Sequence, residues 1–276
     1  LSFPRKRESR ALDPRGSWPN SPMTRDYQYD YSRLKPSLYH SDKRLKKAET
    51  IVRVCQDFLT TQSLNHLYAL DVGSSNGIID NYLAGHFGHV TGIDIDEPAM
   101  AHARSTFPKE NLEFVQGDAM DMPLQDNQFD VVICTQIYEH VPDAGRMFRE
   151  IFRVLKPGGF CYFSGNNRLM LMEPHYRLPL LSVLPTSLAH RYMRLAGKGD
   201  HYHELHFTWW TLRRLCGNFN IVDYSARVIA DPQKFGVDYM LPPGSLKWRA
   251  ANALAHLAKW ASPMIWLLQK PDSGTR

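Results

Sequence analysis

The segment 67–165 limits the possible folds most strongly, because short apolar runs alternate there with helix-like stretches. We predict strands at LYALDV (67–72), HVTGIDI (89–95), LEFVQGD (112–118), FDVVICT (129–135) and FCYFSG (160–165). The stretches between them predict helices at NGIIDNYLAGHF, EPAMAHARSTF and AGRMFREIFRVLKPGG, the last closed by Pro157 and Gly158. Strands that alternate with helices form a parallel sheet with helices on both faces, so the sequence predicts a doubly wound α/β fold.

The first predicted strand runs into LDVGSSNGIID (70–80), a loop of small residues that opens the next helix. In such sheets ligands bind outside the carboxyl ends of the strands, and the N–H groups of a helix start favour an anionic group. A dinucleotide site requires G-x-G-x-x-G. Gly73 takes the first glycine position, but Ser75 and Ile78 take the other two. Asp71 would also repel a pyrophosphate, so the loop fits a ligand with a cationic end.

The same loop resembles the first motif of the class I S-adenosylmethionine-dependent methyltransferases, acid-x-Gly-x-Gly-x-Gly, with Ser75 in place of the middle glycine. Later segments resemble the next motifs of this family in order: VTGIDIDEPAM, VQGDAMDMPLQDNQFDVVICTQIYEHVPD and EIFRVLKPGGFCYFS. The resemblance covers residues 67–165. It implies S-adenosylmethionine as the cofactor. It also implies a Rossmann-like, seven-stranded, mostly parallel sheet with an antiparallel last strand and a helical lid insertion.

The resemblance implies, in addition, which residues hold the cofactor. Asp71 would face its ammonium group, and the amides between Gly73 and Gly77 would face its carboxylate. Asp94 would accept hydrogen bonds from both ribose hydroxyls, and Asp118 would lie near the adenine amino group. The full predicted set is Asp71, Gly73, Ser74, Ser75, Gly77, Asp94, Ile95, Asp118, Ala119, Met120, Thr135 and Gln136.

Candidate catalytic residues follow the fourth predicted strand. The sulfonium already activates the methyl carbon, so a general base is needed only where the acceptor must lose a proton. In TQIYEHV (135–141) we predict His140 as that base, with Glu139 and Tyr138 nearby. A structural role for His140 at a helix start is the alternative. His206, which precedes another predicted helix, is the second candidate base.

The stretch HYHELH (201–206) has the spacing of metal ligands. No fourth ligand or cysteine motif accompanies it, and the family that the chain resembles generally transfers methyl groups without a metal. We therefore predict no metal site. Contacts of His201, His203 or His206 with the substrate or a lid are the other interpretation.

The segment 166–206 is longer than the ~2–6 residues of an ordinary α/β connection, and we predict that it is a lid over the substrate. It is rich in leucine and methionine and is edged by arginines. Leu188, Tyr192 and Leu195 share one helical face. The lid either packs on the core or touches a bilayer and admits a lipid-like acceptor. This composition favours a small, hydrophobic or lipid-linked acceptor.

The C-terminal part is predicted to complete the sheet with an antiparallel pair at 220–230 and 264–270. A helical insertion (231–262) is expected between these strands. Its apolar stripe consists of Leu246, Ala250, Ala253, Leu254, Leu257 and Trp260. A stripe at helical spacing packs in a core or rests on a membrane interface.

The N-terminal residues 1–26 are predicted to be a disordered basic tail, and 27–276 the methyltransferase domain. Residues 1–22 hold four prolines, five basic residues and two acids, without the apolar core of a signal peptide. Because the first methionine is Met23, we expect translation to start there; a genuine basic tail is the alternative. The remaining chain has 28 basic and 26 acidic residues, so no nucleic-acid partner is predicted.

The four cysteines lie far apart with no C-x-x-C pair, which predicts neither disulfides nor a zinc motif and fits the cytoplasm. No apolar run approaches the ~20 residues of a membrane span, so any contact with the inner membrane surface would be peripheral. The predicted activity is methyl transfer to oxygen or carbon of a small acceptor. A nicotinamide-dependent oxidoreductase and a non-catalytic cofactor-binding partner subunit remain as alternatives.

Overall fold

The computed structural model describes residues 32, 41–253, 263–272 and 274. The predicted tail (1–26), with Met23, lies outside these residues, and so does the part of the predicted apolar stripe at Leu254, Leu257 and Trp260. The described strands are β1 (Leu64–Val72), β2 (Phe87–Asp94), β3 (Leu112–Gln116), β4 (Phe129–Thr135), β5 (Leu155–Gly165), β6 (Met172–Glu173), β7 (Leu178–Pro179), β8 (Asn220–Asp223) and β9 (Met264–Gln269).

Seven of these strands form one sheet in the order β3-β2-β1-β4-β5-β9-β8, and β6 and β7 form a separate hairpin. Strands β1 to β5 pair in parallel, whereas β9 runs antiparallel to both of its neighbours, β5 and β8. The predicted seven-stranded, mostly parallel sheet with an antiparallel last strand is therefore confirmed.

Helices cover both faces of this sheet. They are α1 (Ser41–Leu59), α2 (Ile78–Leu83), α3 (Glu97–Thr106), α4 (Ala144–Val154), α5 (Thr186–Leu195), α6 (Trp209–Leu215), α7 (Ser225–Ala230) and α8 (Leu246–Ala253). Because successive strand residues point to opposite faces, Val131 and Ile133 of β4 pack with α1, α2 and α3, while Val132 and Cys134 pack with α4 and α6. This confirms the doubly wound arrangement.

Strand β1 lies at the point where the order of the strands reverses. After β1 the chain adds β2 and β3 on one side and then crosses to add β4 and β5 on the other. Asp71 is in register with Gly92 of β2 and with Ile133 of β4. The carboxyl ends of β1 and β4 therefore border the crevice in which such sheets bind ligands.

Among the predicted element boundaries that differ from the structure, two have a clear local cause. The helix predicted to run to Pro157 and Gly158 ends at Val154, because Leu155 is already extended (φ −69°, ψ 137°) and begins β5. A proline disfavours helical backbone at the residue before it, and here the change occurs one residue further upstream. The strand predicted at 220–230 ends at Asp223, and α7 follows with Tyr224 at its N-cap. The Oδ1 atom of Asp223 accepts a hydrogen bond of 2.9 Å from the N–H of Ser225, a local turn that ends the strand.

The segment 166–206 contains the β6–β7 hairpin, a 3₁₀ turn (Leu181–Val183) and α5. It has a hydrophobic cluster of its own, in which α5 contributes Ala189 and Met193. The predicted apolar face of α5 differs from this buried one, since Leu188 and Leu195 are 51% and 80% exposed. Helix α5 confirms the helical insertion, and two of the three side chains predicted to share one apolar face, Leu188 and Leu195, point to solvent rather than to the core.

The described part of the predicted C-terminal stripe is not core either. None of the residues of α8 is buried, and Leu246 is 83% exposed. Trp248 anchors the helix instead, because its indole N–H donates a hydrogen bond of 2.9 Å to the carbonyl of Ile229. Within the described residues, no helix combines the length and apolarity needed to cross a bilayer.

Candidate functional site

The site begins with Asp71, which is buried next to the carboxyl end of β1. Burial and the nearby Asp80 carboxylate raise the pKa of Asp71 well above its usual value, while the cations Arg44 and Lys47 of α1 oppose that shift. Burial likewise raises the pKa of Asp80. The predicted acid, Asp71, therefore lies at the carboxyl end of β1 within a group of carboxylates. The positive charges of Arg44 and Lys47 on α1 partly neutralise this group.

The loop after β1 requires small residues for its own conformation. Gly73 and Gly77 have φ values of +81° and +77°, a region that L side chains rarely adopt. A Cβ on Gly73 would also overlap the side chain of Ile137. Ser75, in place of the middle family glycine, adopts a positive φ of 55° as well. The small residues of the loop therefore allow its left-handed backbone conformation. They also keep the backbone N–H groups of the loop close to the carboxyl end of β1.

Asp94 is tied to that loop. One carboxylate oxygen accepts the N–H of Ser75 at 2.8 Å, and the other accepts the N–H of Asp96 at 2.9 Å. Burial raises the pKa of Asp94, and these backbone donors oppose the effect. Since each carboxylate oxygen can accept more than one hydrogen bond, the oriented group retains acceptor capacity for a diol. The hydroxyl of Ser74 is already engaged, because it donates to Oδ2 of Asp80 at 2.8 Å.

The predicted adenine segment forms a tight turn after β3. Oδ1 of Asp118 accepts the N–H of Met120 at 2.9 Å, which holds Ala119 between them. Met120 is only 5% exposed, and its sulfur accepts the N–H of Asp143 at 3.3 Å. Ile95, which follows β2, is half-buried. Asp118, Ala119 and Met120 thus lie together in one turn after β3, and their contact with adenine stays a prediction.

Thr135 ends β4 and Gln136 follows it, on the side of β1 opposite Asp94 of β2. Gln136 has a positive φ of 58°, and its N–H donates to the carbonyl of Ser164 at 2.7 Å. Its side-chain oxygen accepts a hydrogen bond of 3.0 Å from Nζ of Lys47. Helix α1 is thereby connected to the loop after β4.

Two residues of this site were not predicted from the sequence, namely Arg44 and Lys47. Arg44 reaches Oγ of Ser75 at 3.5 Å, and burial lowers the pKa of Lys47, which lies near both Asp71 and Glu139. Their spacing of three residues on one helix face was the available signal. They place positive charge beside Asp71 and the loop after β1.

A second polar cluster lies beside the first and contains both predicted catalytic histidines. It consists of Glu139, His140, Glu173, His175 and His206. Nδ1 of His175 is 2.7 Å from Oε1 of Glu173, and Nε2 of His206 is 3.6 Å from the same oxygen. The rings of His140 and His175 meet edge to face at 5.2 Å between centroids.

The charges in this cluster are strongly perturbed by burial. Burial opposes ionisation of Glu173, but the hydrogen bonds from His175 and from the N–H of Tyr176, together with the His206 ring 3.6 Å away, outweigh it and lower the pKa of Glu173 to about 2. Burial raises the pKa of Glu139, whereas the neighbouring histidines pull it down. One carboxylate is thus held ionised, and the other is a stronger base than an exposed glutamate.

The spacing of HYHELH does not bring its three histidines together. His201 and His203 are exposed, whereas His206 is 3% exposed and points into the cluster. The partners of His206 are Glu173 and His175 from the β6–β7 hairpin, which were not predicted as site residues. The Glu-Pro-His sequence at 173–175 was their only local signal.

Comparison with known proteins identifies the domain. Residues 70–163 match the family model of the methyltransferase domain named Methyltransf_11. The chain is 31% identical over 147 residues to a ubiquinone biosynthesis O-methyltransferase of Hydrogenovibrio crunogenus, covering 52% of this chain and 57% of that protein. It is 41% identical over 105 residues to the same-named protein of Pseudomonas fluorescens, covering 36% and 44%. The chain thus spans about half the length of the curated relatives it matches.

Solved structures share the fold. A methyltransferase from a Haloferax volcanii complex with the activator Trm112 superposes with a TM-score of 0.50 at 18% identity, covering 83% of this chain and 95% of that one. A structure described as a sarcosine dimethylglycine methyltransferase of Galdieria sulphuraria gives 0.50 at 15% identity, covering 82% and 86%. Residues 70–163, which carry the four motifs in order, therefore form a methyltransferase domain, and the reversal of strand order at β1 and the two solved structures show the fold in which it lies.

Proposed function

We propose that the protein transfers the methyl group of S-adenosylmethionine to an oxygen of a small, hydrophobic or lipid-linked acceptor. One observation carries this proposal. Lys47 interacts electrostatically with both Asp71 of the first cluster and Glu139 of the second. The predicted cofactor crevice and the buried acid–histidine cluster therefore lie next to each other, with Lys47 between them. A methyl donor in the crevice would therefore face groups able to take a proton.

The cofactor would lie along the carboxyl ends of the first four strands. Asp94 would accept the ribose hydroxyls, and Asp118, Ala119, Met120 and Ile95 would surround the adenine. The loop amides from Gly73 to Gly77, with Arg44 and Lys47, would hold the carboxylate of the methionyl part. These residue roles extend the sequence prediction, which had assigned the carboxylate to the loop alone.

The proton of the acceptor would leave toward the second cluster. The positively charged sulfur already activates the methyl carbon, so no Lewis acid is needed at that carbon. The attacking oxygen has to lie in line with the carbon–sulfur bond, and the site has to exclude water. Glu139, with its pKa raised by burial, and the predicted bases His140 and His206 are the groups that could take the proton. Oxygen is favoured over carbon as the acceptor atom by the names of the curated relatives.

A hydrophobic or lipid-linked acceptor is supported by the surface of 166–206, which we propose is a lid. Its exposed large apolar side chains are Leu171, Met172, Leu180, Val183, Leu188 and Leu195. Arg177, Arg191, Arg194 and Lys198 are exposed beside them. Apolar side chains flanked by cations suit the surface of an anionic bilayer, where such an acceptor would reside. We propose peripheral contact of this face with the membrane.

Calorimetry with S-adenosylmethionine, S-adenosylhomocysteine and reduced nicotinamides tests the cofactor proposal. Binding of the first two alone supports it, and binding of a nicotinamide alone would favour an oxidoreductase. Single-turnover transfer of a labelled methyl group to an extract of small phenols and quinols separates an enzyme from a non-catalytic partner subunit. Co-sedimentation with vesicles of phosphatidylglycerol or of phosphatidylcholine tests the membrane contact; pelleting with neither contradicts it.

A further inference from the structure

Two side chains of the acid–histidine cluster are buried without a hydrogen bond. Neither carboxylate oxygen of Glu139 has a partner elsewhere in the described chain, and neither ring nitrogen of His206 has one. Both side chains are inaccessible to solvent. Glu139 and His206 each offer a ligand atom within 4.8 Å of one on His175. Because buried polar groups are nearly always satisfied, two unsatisfied side chains beside the same histidine indicate a ligand that bonds to both types of group.

The donor atoms around this place match the ligands of one cation. A carboxylate oxygen of Glu173 and one ring nitrogen each of His175 and His206 all lie within 4.8 Å of one another. Ligands of a tetrahedral zinc ion, each ~2.0–2.2 Å from the metal, are separated by roughly 3.4 Å. The 3.6 Å between His206 Nε2 and Glu173 Oε1 is close to that value. Nδ1 of His175 lies 2.7 Å from the same Glu173 oxygen, with a shared proton between them. This distance would increase when a metal ion replaces that proton.

The first ligand is already oriented. The second carboxylate oxygen of Glu173 accepts a hydrogen bond of 2.7 Å from the N–H of Tyr176. The N–H of Arg177 donates a hydrogen bond of 2.9 Å to the backbone carbonyl of Glu173, and this bond closes the hairpin. The edge of the His140 ring lies against His175. Neighbours that fix ligand orientation are a regular feature of metal sites.

We propose that Glu173, His175 and His206 bind one divalent zinc-type cation, whose open fourth position faces Glu139 and takes the hydroxyl of the methyl acceptor. Two histidines and a glutamate with one open position are a known ligand set of catalytic zinc. This assignment differs from the sequence-based expectation of no metal, which considered only HYHELH and lacked the hairpin residues.

The chemical step that such a cation would assist rests on the proposed function, methyl transfer to an oxygen atom. The cation polarises the acceptor O–H, and Glu139 takes its proton. The oxygen then forms a bond to the methyl carbon as the carbon–sulfur bond breaks and its electron pair stays on sulfur. The products are a methyl ether, S-adenosylhomocysteine and one proton, which Glu139 releases to water. No oxidant or reductant is involved.

Zinc binding can be measured without the reaction. Tag-free full-length protein is stripped with a chelator and titrated with Zn²⁺ against a chromophoric competitor, and Co²⁺ is added separately to record visible absorption. We expect one equivalent of zinc and the intense absorption bands of four-coordinate cobalt. In His175→Gln and His206→Gln we expect the affinity to fall by more than about 100-fold, beyond the effect of an outer-shell change. His201→Gln, an exposed histidine of the same segment, is the control and should bind like the wild type.

The possible results lead to different conclusions. The proposal is overturned if the wild type binds no zinc, or if both histidine variants bind zinc as tightly as the wild type. A protonated His175 paired with Glu173 then explains the cluster. A loss of zinc affinity that is found only in Glu139→Gln would mean that a different set of residues binds the ion. This result also overturns the proposal. If the histidine variants do not fold, the stoichiometry and cobalt spectrum of the wild type decide alone. Calorimetry with S-adenosylmethionine is independent, so bound cofactor without zinc rejects this inference and leaves the proposed function intact.

Discussion

The backbone N–H of Ser75 donates a hydrogen bond of 2.8 Å to Oδ2 of Asp94. This bond joins the loop after β1 to the acid at the end of β2. The residue that departs from the family glycine pattern is therefore the one that orients the predicted ribose acceptor. Because the bond uses the main chain, a serine can replace the glycine as long as its backbone reaches the left-handed region.

The first prediction concerns this acid. Asp94→Asn keeps the size of the side chain but removes the charge that strengthens hydrogen bonds from two ribose hydroxyls. We expect S-adenosylmethionine to bind more weakly by about 1.5–3 kcal/mol, as calorimetry measures it. Asp126→Asn, a largely exposed acid on the loop before β4, is the control and should leave the affinity unchanged. Equal affinities in all three proteins would contradict the ribose assignment.

The second prediction concerns the left-handed glycine of the loop. Gly73→Ala combines a positive φ with overlap against Ile137, so we expect a loss of unfolding free energy of about 1–3 kcal/mol in urea. Gly197→Ala is a matched control, because its φ is also positive (+64°) but nothing lies within 4 Å of the added Cβ. The two losses should therefore differ, with Gly73→Ala the larger. Equal losses would mean that Ile137 yields without cost.

The sheet could be predicted from the sequence because its signal is local. Each strand from β1 to β5 is a short apolar run between helical patterns, and the motif loops lie at fixed positions in that alternation. The helix at 225–230 was mistaken for strand because its valine and isoleucine suit both structures. The turn in which Asp223 accepts the N–H of Ser225 is the local signal that ends the strand before them.

The missing site residues could not be found in the same way. Lys47 meets Gln136 across 89 residues of sequence, and its helix precedes the first motif, where no loop pattern marks a function. Glu173 and His175 lie in a leucine-rich stretch whose polar residues look incidental. Their meeting with His206 and Glu139 depends on how the hairpin returns to the sheet, which periodicity does not encode.

A third prediction follows from the buried Asp80, whose pKa is raised by burial. An acid with a higher pKa in the folded protein than in the unfolded chain binds protons more tightly when folded. Its contribution to stability is therefore full below the unfolded value, about 3.9, and is lost as pH rises through the folded value. In Asp80→Asn this loss disappears. We expect the unfolding free energy of the wild type, relative to the variant, to fall between pH 5 and pH 8.5.

Asp57 provides a control of opposite sign for the same urea experiment. Its carboxylate receives hydrogen bonds from Lys234 and from Tyr224, which lower its pKa. A lowered folded pKa gives stability that is present above the unfolded value and is lost only in acid. The gap between wild type and Asp57→Asn should stay constant from pH 5 to pH 8.5 and shrink below about pH 3.9. A constant gap for Asp80→Asn as well would contradict the buried-acid interpretation.

The last prediction concerns Lys47, which we propose binds the carboxylate of the cofactor. Lys47→Gln removes the cation but keeps a polar side chain, so S-adenosylmethionine should bind more weakly by about 1.5–3 kcal/mol. Decarboxylated S-adenosylmethionine lacks the interacting group, so its affinity should be nearly the same in wild type and variant. Calorimetry with both ligands on both proteins forms a double-mutant cycle that isolates this one contact. Lys43→Gln, an exposed lysine of the same helix, is the control for a general loss of charge. If both ligands lose affinity equally in Lys47→Gln, the lysine acts through Asp71 or Gln136 rather than through the carboxylate.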